Sequence, residues 1–306
     1  MSDMEEKKNI RALLALLSIY IIWGTTYLAI RIGVKDLPPV LFSGLRWFIA
    51  GPIMIGVLML RKYKLPNKND ILHLSISGIL LLGGGNVLVV FAEQWLPSGL
   101  TALLITTVPF WVVGIETLLP QGKKINIFIV IGLTLGLFGV IIIFGGNFHQ
   151  LLEPAYIKGA IGILLAEICW AGGTVYSKYK KVSVHPLMGA AIQMIIAGGM
   201  ITILGLGLGE ASHFKFTHDS FYAFLYLIVF GSFVGYGSYI YAISHLPVSL
   251  VATYAYVNPV IALFLGWLIL GEPITIWIVL ASVVILIGVT MVKKGSERQT
   301  AAHQKI

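Results

Sequence analysis

Long, continuously apolar runs separated by short polar connections dominate the chain. Ten such runs stand out, at about 12–32, 39–60, 71–92, 97–119, 125–145, 156–177, 186–208, 219–243, 248–270 and 274–292. Each is close to the ~20 residues an α-helix needs to cross a bilayer. Each is also about twice the length of a membrane-barrel strand and lacks a strand's alternation. A helix satisfies its own backbone groups in lipid, which a lone strand cannot do. The pattern therefore predicts an all-α polytopic membrane protein with ten transmembrane helices. The first run follows Lys7, Lys8 and Arg11, as a secretory signal would. It is too long for one, carries Trp23, Thr25, Thr26 and Tyr27, and has no small-residue cleavage site, so it reads as a retained helix.

Composition agrees with the pattern. Of 306 residues, 58 % are hydrophobic and only 11 % charged, and the mean hydropathy is +0.91. A soluble domain carries about 25 % charged residues, so this chain cannot cover a globular surface with charge. That excludes a soluble enzyme, a disordered chain and a nucleic-acid-binding module. The net charge of +8 instead sets topology. With a cytoplasmic N-terminus, 16 of the 21 lysines and arginines fall in inside segments and 4 outside, with Arg46 inside a span. This positive-inside bias predicts that both termini are cytoplasmic. Cys169 is the only cysteine, so neither an intrachain disulfide nor a cysteine-based metal site forms, and it reads as a buried, inert thiol. No phosphate-binding loop appears, and His213 and His218, in the connection after the seventh run, have poor spacing for metal ligands. No cofactor is expected.

The two halves of the chain resemble each other. A shift of 147 residues brings Trp23 onto Trp170, Pro39 onto Pro186 and Ile49-Ala50-Gly51 onto Ile196-Ala197-Gly198. A shift of 150 brings Gly85, Pro97 and Pro109 onto Gly235, Pro247 and Pro259. Tryptophan and proline matches carry the argument, since the chain has only 7 and 12 of them. The organisation predicted is a tail at 1–11, a first repeat at 12–147, a second at 156–292 and a tail at 293–306. Five helices per repeat is an odd number, so the second repeat enters from the opposite face, an arrangement typical of alternating-access transporters.

Three stretches carry a family likeness: "WGTTYLAIRIGVKDLPPVLFSGLRWFIAG" (Trp23–Gly51), "FAEQWLPSGLTALLITTVPFW" (Phe91–Trp111) and "LPVSLVATYAYVNPVIALFLGWLILGEPIT" (Leu246–Thr275). The chain resembles the drug/metabolite transporter superfamily, and within it the bacterial ten-helix exporters with two EamA-type domains. The resemblance implies an inner-membrane permease with a central cavity, often an exporter of amino acids, metabolites or drugs. The Gly271-Glu272 pair has no acidic match in the first half, which reads "LPQGKK" (Leu119–Lys124). Glu272 is accordingly read as a residue of the helix connection.

Charged side chains within spans are costly and mark function by default. Arg46 and Glu93 lie at similar depth near the outer ends of the second and third spans, where a salt bridge or a shared polar vestibule can form. Glu167 is eleven residues into the sixth span, about 16 Å deep at 1.5 Å per residue and near the middle of a ~30 Å core. It is the candidate proton-coupling group, the alternative being a protonated glutamate hydrogen-bonded to a neighbouring helix with only a packing role. Glu116, near the inner end of the fourth span, reads as an ordinary hydrated glutamate. The candidate cavity lining is Trp23, Thr26, Tyr27, Asn86, Trp170, Tyr236, Tyr239, Tyr254 and Asn258, with Thr106, Thr107 and Tyr256 beside them. Tyrosine combines an apolar ring with a hydrogen-bonding tip, useful for organic solutes. Packing is the alternative role for these rings. The matched Pro109 and Pro259 predict interruptions near the site, and Gly132 with Gly136 a close helix contact, within one chain or between two.

These readings converge on a secondary active transporter, not an enzyme. Its expected partners are a small organic solute, the lipid bilayer and protons as the candidate coupling ion, with no nucleic acid. Export is the expected direction. An uptake permease of the same architecture, or a non-transporting receptor or scaffold, is the alternative, and oligomeric state is left open.

Overall fold

The computed structural model describes residues 3–119, 126–145, 153–246, 251 and 254–303. Among these residues there is no strand. The chain forms α1 (Asp3–Gly33), α2 (Pro39–Leu60), α3 (Lys68–Ala92), α4 (Ser98–Leu118), α5 (Ile127–Gly145), α6 (Pro154–Tyr179), α7 (Pro186–Gly207), α8 (His218–His245), α9 (Tyr254–Leu270) and α10 (Ile276–His303). Seven of these, α1 to α4 and α6 to α8, are long and apolar enough to cross a membrane. The apolar parts of α5, α9 and α10 are shorter, at Ile127–Gly139, Val257–Leu270 and Ile276–Val292. The expected starts of the fifth and ninth spans, at 125 and 248, lie outside the described residues. At the chain ends, α1 already begins at Asp3 and α10 runs on to His303, so helix continues into both segments expected as tails.

Local chemistry sets the helix ends. Pro39, Pro154 and Pro186 open α2, α6 and α7, where a missing N–H costs nothing. Asn67 with Asp70, and Thr217 with Ser220, form reciprocal capping boxes at the starts of α3 and α8. Gly209 (φ 77°) follows α7 and Gly271 (φ 65°) follows α9, in the left-handed region that glycine enters without a Cβ clash.

Three helices are irregular inside the bundle. α3 and α8 widen into π-helix over Ile79–Asn86 and Leu227–Tyr236. α4 is interrupted between Ile105 and Val108, with Pro109 in the first turn of its second half. The matching Pro259 causes no such break, since Tyr254–Leu270 is one helix.

α2 packs along α7 and α5 along α10, while α1 lies against α8 and α9, and α6 against α3 and α4. Each of these contacts joins one half of the sequence to the other. Backbones meet closely where glycine allows it. A Cβ on Gly198 would stand 2.4 Å from the Phe48 amide nitrogen, and one on Gly132 would stand 2.5 Å from the Gly288 carbonyl oxygen. The Gly132–Gly136 stripe thus serves packing within one chain, against α10 and Phe110. On the outside, Leu13, Leu14, Leu17 and Ile21 of α1 are each about half exposed, a face suited to lipid.

Side chains tie the two halves together at both ends of the bundle. At one end, Glu210 accepts from the amides of Val40 (3.4 Å) and Leu41 (2.6 Å), at the start of α2. There too, Glu272 accepts from the Ser98 amide (2.9 Å), the Ser98 hydroxyl (2.9 Å) and the Gly99 amide (3.2 Å), at the start of α4. Glu272 is therefore more than a connection residue. It satisfies amides that the first turn of a helix leaves without partners. At the opposite end, Asp70 accepts from the Ser183 amide (3.0 Å) and hydroxyl, and Lys178 pairs with Glu116. Glu116 is buried, not hydrated as expected, because α6 brings Lys178 onto it.

Candidate functional site

A partly open cavity lies where α1, α2, α3, α4, α6, α8 and α9 converge. It is lined by Trp23, Thr26, Tyr27, Ile30, Arg46, Trp47, Gly85, Asn86, Val89, Ile105, Val108, Ala166, Glu167, Trp170, Gly231, Tyr236 and Tyr254. The free space is small, about 70 Å³. That admits a few waters, whereas pockets for organic ligands run to about 300–1,000 Å³. An organic solute therefore enters only when these helices part.

Repeat-equivalent residues meet at the centre. Trp23 and Trp170 touch edge to face with ring centroids 5.5 Å apart. Gly85 of the α3 π-helix lies against Trp170, and its counterpart Gly235 of the α8 π-helix lies against Trp23; an added Cβ would stand 3.0 and 2.8 Å from those rings. The same two glycines match in the sequence under the 150-residue shift. Small residues at these two points let each indole reach the centre.

The polar groups fall into two clusters. In the first, Asn86 Oδ1 accepts from Arg46 Nη2 (2.9 Å), Trp47 Nε1 (3.2 Å) and Ser43 Oγ (3.4 Å). The Arg46 guanidinium carbon lies 4.2 Å from the Trp47 ring centroid, a cation–π contact. In the second, both Glu167 oxygens lie on Thr107 Oγ1, at 2.8 and 2.7 Å, and Trp111 Nε1 donates to Oε2 at 2.7 Å. The break in α4 places Thr107 at the end of one helical segment, facing α6.

Several expected residues stand elsewhere. Tyr239 lies behind the wall, in tilted ring contact with Trp23 (5.0 Å) and Trp170 (5.3 Å), with its hydroxyl on Thr174 (3.1 Å). Asn258 is buried in α9 away from the cavity, without a side-chain partner among the described residues. Glu93 is fully buried but lines no part of the cavity. The salt bridge expected between Arg46 and Glu93 does not form: neither Glu93 oxygen has a hydrogen-bond partner among the described residues, and Arg46 turns to Asn86. The two are expected on one level, but Glu93 sits at the very end of α3, two turns beyond Asn86 on the same face, while Arg46 lies seven residues inside α2. Cys169 is only half-buried, against Gly84.

Trp47, Trp111 and Gln193 were not singled out in the sequence. Gln193 accepts from the Tyr236 hydroxyl (2.7 Å) and donates to Ser77 Oγ (2.7 Å), all of them buried. A signal for it existed, since Gln193 falls on Arg46 under the 147-residue shift.

A cavity of aromatic rings with buried charged groups, inside a bundle of membrane-length apolar helices, is the architecture of a membrane transporter. The chain belongs to the EamA-like transporter family, whose model matches twice, at residues 10–145 and 157–293. It is 38 % identical to the uncharacterized inner membrane transporter YedA of Escherichia coli K12, over 92 % of this chain and 90 % of that one. It is 28 % identical to the uncharacterized transporter YoaV of Bacillus subtilis, over 92 % and 96 %. It is 23 % identical to a probable amino-acid metabolite efflux pump of E. coli K12, over 93 % and 94 %. A solved crystal structure matches in fold, with a TM-score of 0.66 at 19 % identity, over 94 % of this chain and 97 % of that one. The protein is thus a multi-pass inner membrane transporter of small solutes, not an enzyme.

Proposed function

We propose that the protein is a secondary active exporter of small organic metabolites or drugs. It works by alternating access through the central cavity, with ten crossings in two inverted five-helix repeats and both termini cytoplasmic. The observation that carries this reading is the meeting of Trp23 and Trp170 in a cavity walled by both halves. A site on such an axis opens to either face when the halves rock. The small free volume fits a contracted state of the cavity. The 16-to-4 distribution of basic residues supports the orientation, and the relative described as an efflux pump supports export.

Glu167 is the coupling group in this proposal. It is 1 % exposed and lines the cavity, so a proton reaches it only from the side to which the cavity opens. The test uses proteoliposomes loaded with a bacterial metabolite extract and given a pH gradient. Wild-type protein is expected to move specific solutes against their gradients. Glu167→Gln keeps shape and hydrogen bonding but cannot titrate. It is expected to lose at least about tenfold in gradient-driven accumulation while keeping solute exchange. Full gradient-driven transport by the variant would remove Glu167 from coupling, and vesicles that move no solute would remove transport.

A further inference from the structure

Arg46 is 2 % exposed, yet its Nε and Nη1 have no hydrogen-bond partner among the described residues. A guanidinium has five N–H donors and no acceptor, and buried donors left without partners are rare in folded proteins. Asn86 does not resolve this, because its single carbonyl oxygen already takes Arg46 Nη2, Trp47 Nε1 and Ser43 Oγ. No carboxylate among the described residues lies within ion-pair distance of Arg46. The Glu93 oxygens are themselves without partners, and Glu167 is held by Thr107 and Trp111. The cation is nonetheless held in place, by Asn86 at one nitrogen and by the Trp47 face, and it lines the cavity.

We propose that Arg46 anchors the anionic group of the transported solute, so that the cavity selects a flat, apolar organic carboxylate over its neutral counterpart. The proposal deepens the transport reading and rests on it for what the site is for. A carboxylate matches the planar fork of a guanidinium in geometry as well as charge. The rest of the solute meets rings: Trp23, Trp170, Tyr236 and Tyr254 form the wall beyond Arg46. The opposite half of the site offers no second cation. Gln193, at the repeat position of Arg46, is neutral and fully engaged by Tyr236 and Ser77. One guanidinium with free donors, in a chamber walled mainly by aromatic and aliphatic side chains and with the Glu167 carboxyl engaged by Thr107 and Trp111, fits a monoanion with an apolar body.

The test is equilibrium binding of radiolabelled phenylacetate and of phenylacetamide, its neutral analogue of nearly the same shape, to the purified protein. Wild type is expected to bind the acid at least about tenfold more tightly, the scale of a charge-assisted hydrogen bond. Arg46→Gln should bring the acid down to the affinity of the amide, and Arg46→Lys should keep part of the preference. If Arg46→Gln fails to fold, wild type and Arg46→Lys still decide. Equal binding of acid and amide by wild type, binding of neither, or an unchanged acid preference in Arg46→Gln would overturn the proposal. Proteoliposome flux separates the two claims. Transport without acid preference removes only the anion anchor, and acid-selective binding without any flux removes only transport.

Discussion

The Arg46–Asn86 pair and the Gln193–Tyr236 pair occupy equivalent places in the two halves, under shifts of 147 and 150 residues. Both join the second helix of one half to the third helix of a half: α2 to α3 in one case, α7 to α8 in the other. Both are made by a side-chain hydrogen bond of similar length, 2.9 and 2.7 Å. They differ in what is left over. Gln193 is closed off by Tyr236 and Ser77, whereas Arg46 keeps donors that no described residue answers. Duplication has kept the scaffold and let the chemistry diverge. One copy became a neutral strut and the other a buried charge facing the cavity.

Three changes would break or sharpen this contrast, the strongest first. Gln193→Ala should cost about 2–4 kcal/mol, since it leaves the buried Tyr236 hydroxyl without its acceptor and opens a void. Thermal unfolding in detergent should show a clear drop in Tm, and an unchanged Tm would mean that Gln193 is no strut. Glu272→Ala should cost about 1–2 kcal/mol, as loss of a helix N-terminal acceptor does, with Glu272→Gln recovering part of it because one oxygen remains. A Gln variant as unstable as the Ala variant would show that the charge, not the hydrogen bond, holds the start of α4. Arg46→Gln should change stability least, by under about 1 kcal/mol, because it removes a desolvated cation along with one hydrogen bond. If it destabilises as much as Gln193→Ala, Arg46 is a strut as well, and the two halves are alike after all.

Much of the scaffold was readable from residue order. Runs of about 20 apolar residues dictate helices, and the tryptophan and proline matches reveal the duplication. Trp23 and Trp170 could be named as central because a bulky polar-edged ring inside a span is unusual and because it recurs. The partners of the buried charges were not readable in this way. Counting placed Arg46 level with Glu93, but Arg46 lies seven residues inside α2 and Glu93 at the very end of α3, so the α3 residue at its level is Asn86, two turns before Glu93 on the same face. Glu116 looked solvated because Lys178, its partner, is 62 residues away in the chain. Glu272 looked idle because the amides it caps belong to Ser98 and Gly99, in the other half.

By itself, then, the sequence determined the class of molecule: all-helical, membrane-embedded and duplicated, with Trp23 and Trp170 at matching positions. These properties follow from local periodicity and composition, which act along the chain. Only the tertiary structure decided which matching prolines break a helix, which glycines admit an indole, and which buried charge is answered within the protein. Those outcomes depend on contacts of a few ångströms between segments far apart in sequence. Pro109 opens α4 so that Thr107 reaches Glu167, while Pro259 leaves α9 continuous. Only the proline itself matches there: Thr106-Thr107-Val108 precede Pro109 and Tyr256-Val257-Asn258 precede Pro259, and the Thr107 hydroxyl finds the α6 carboxylate only once the helices pack.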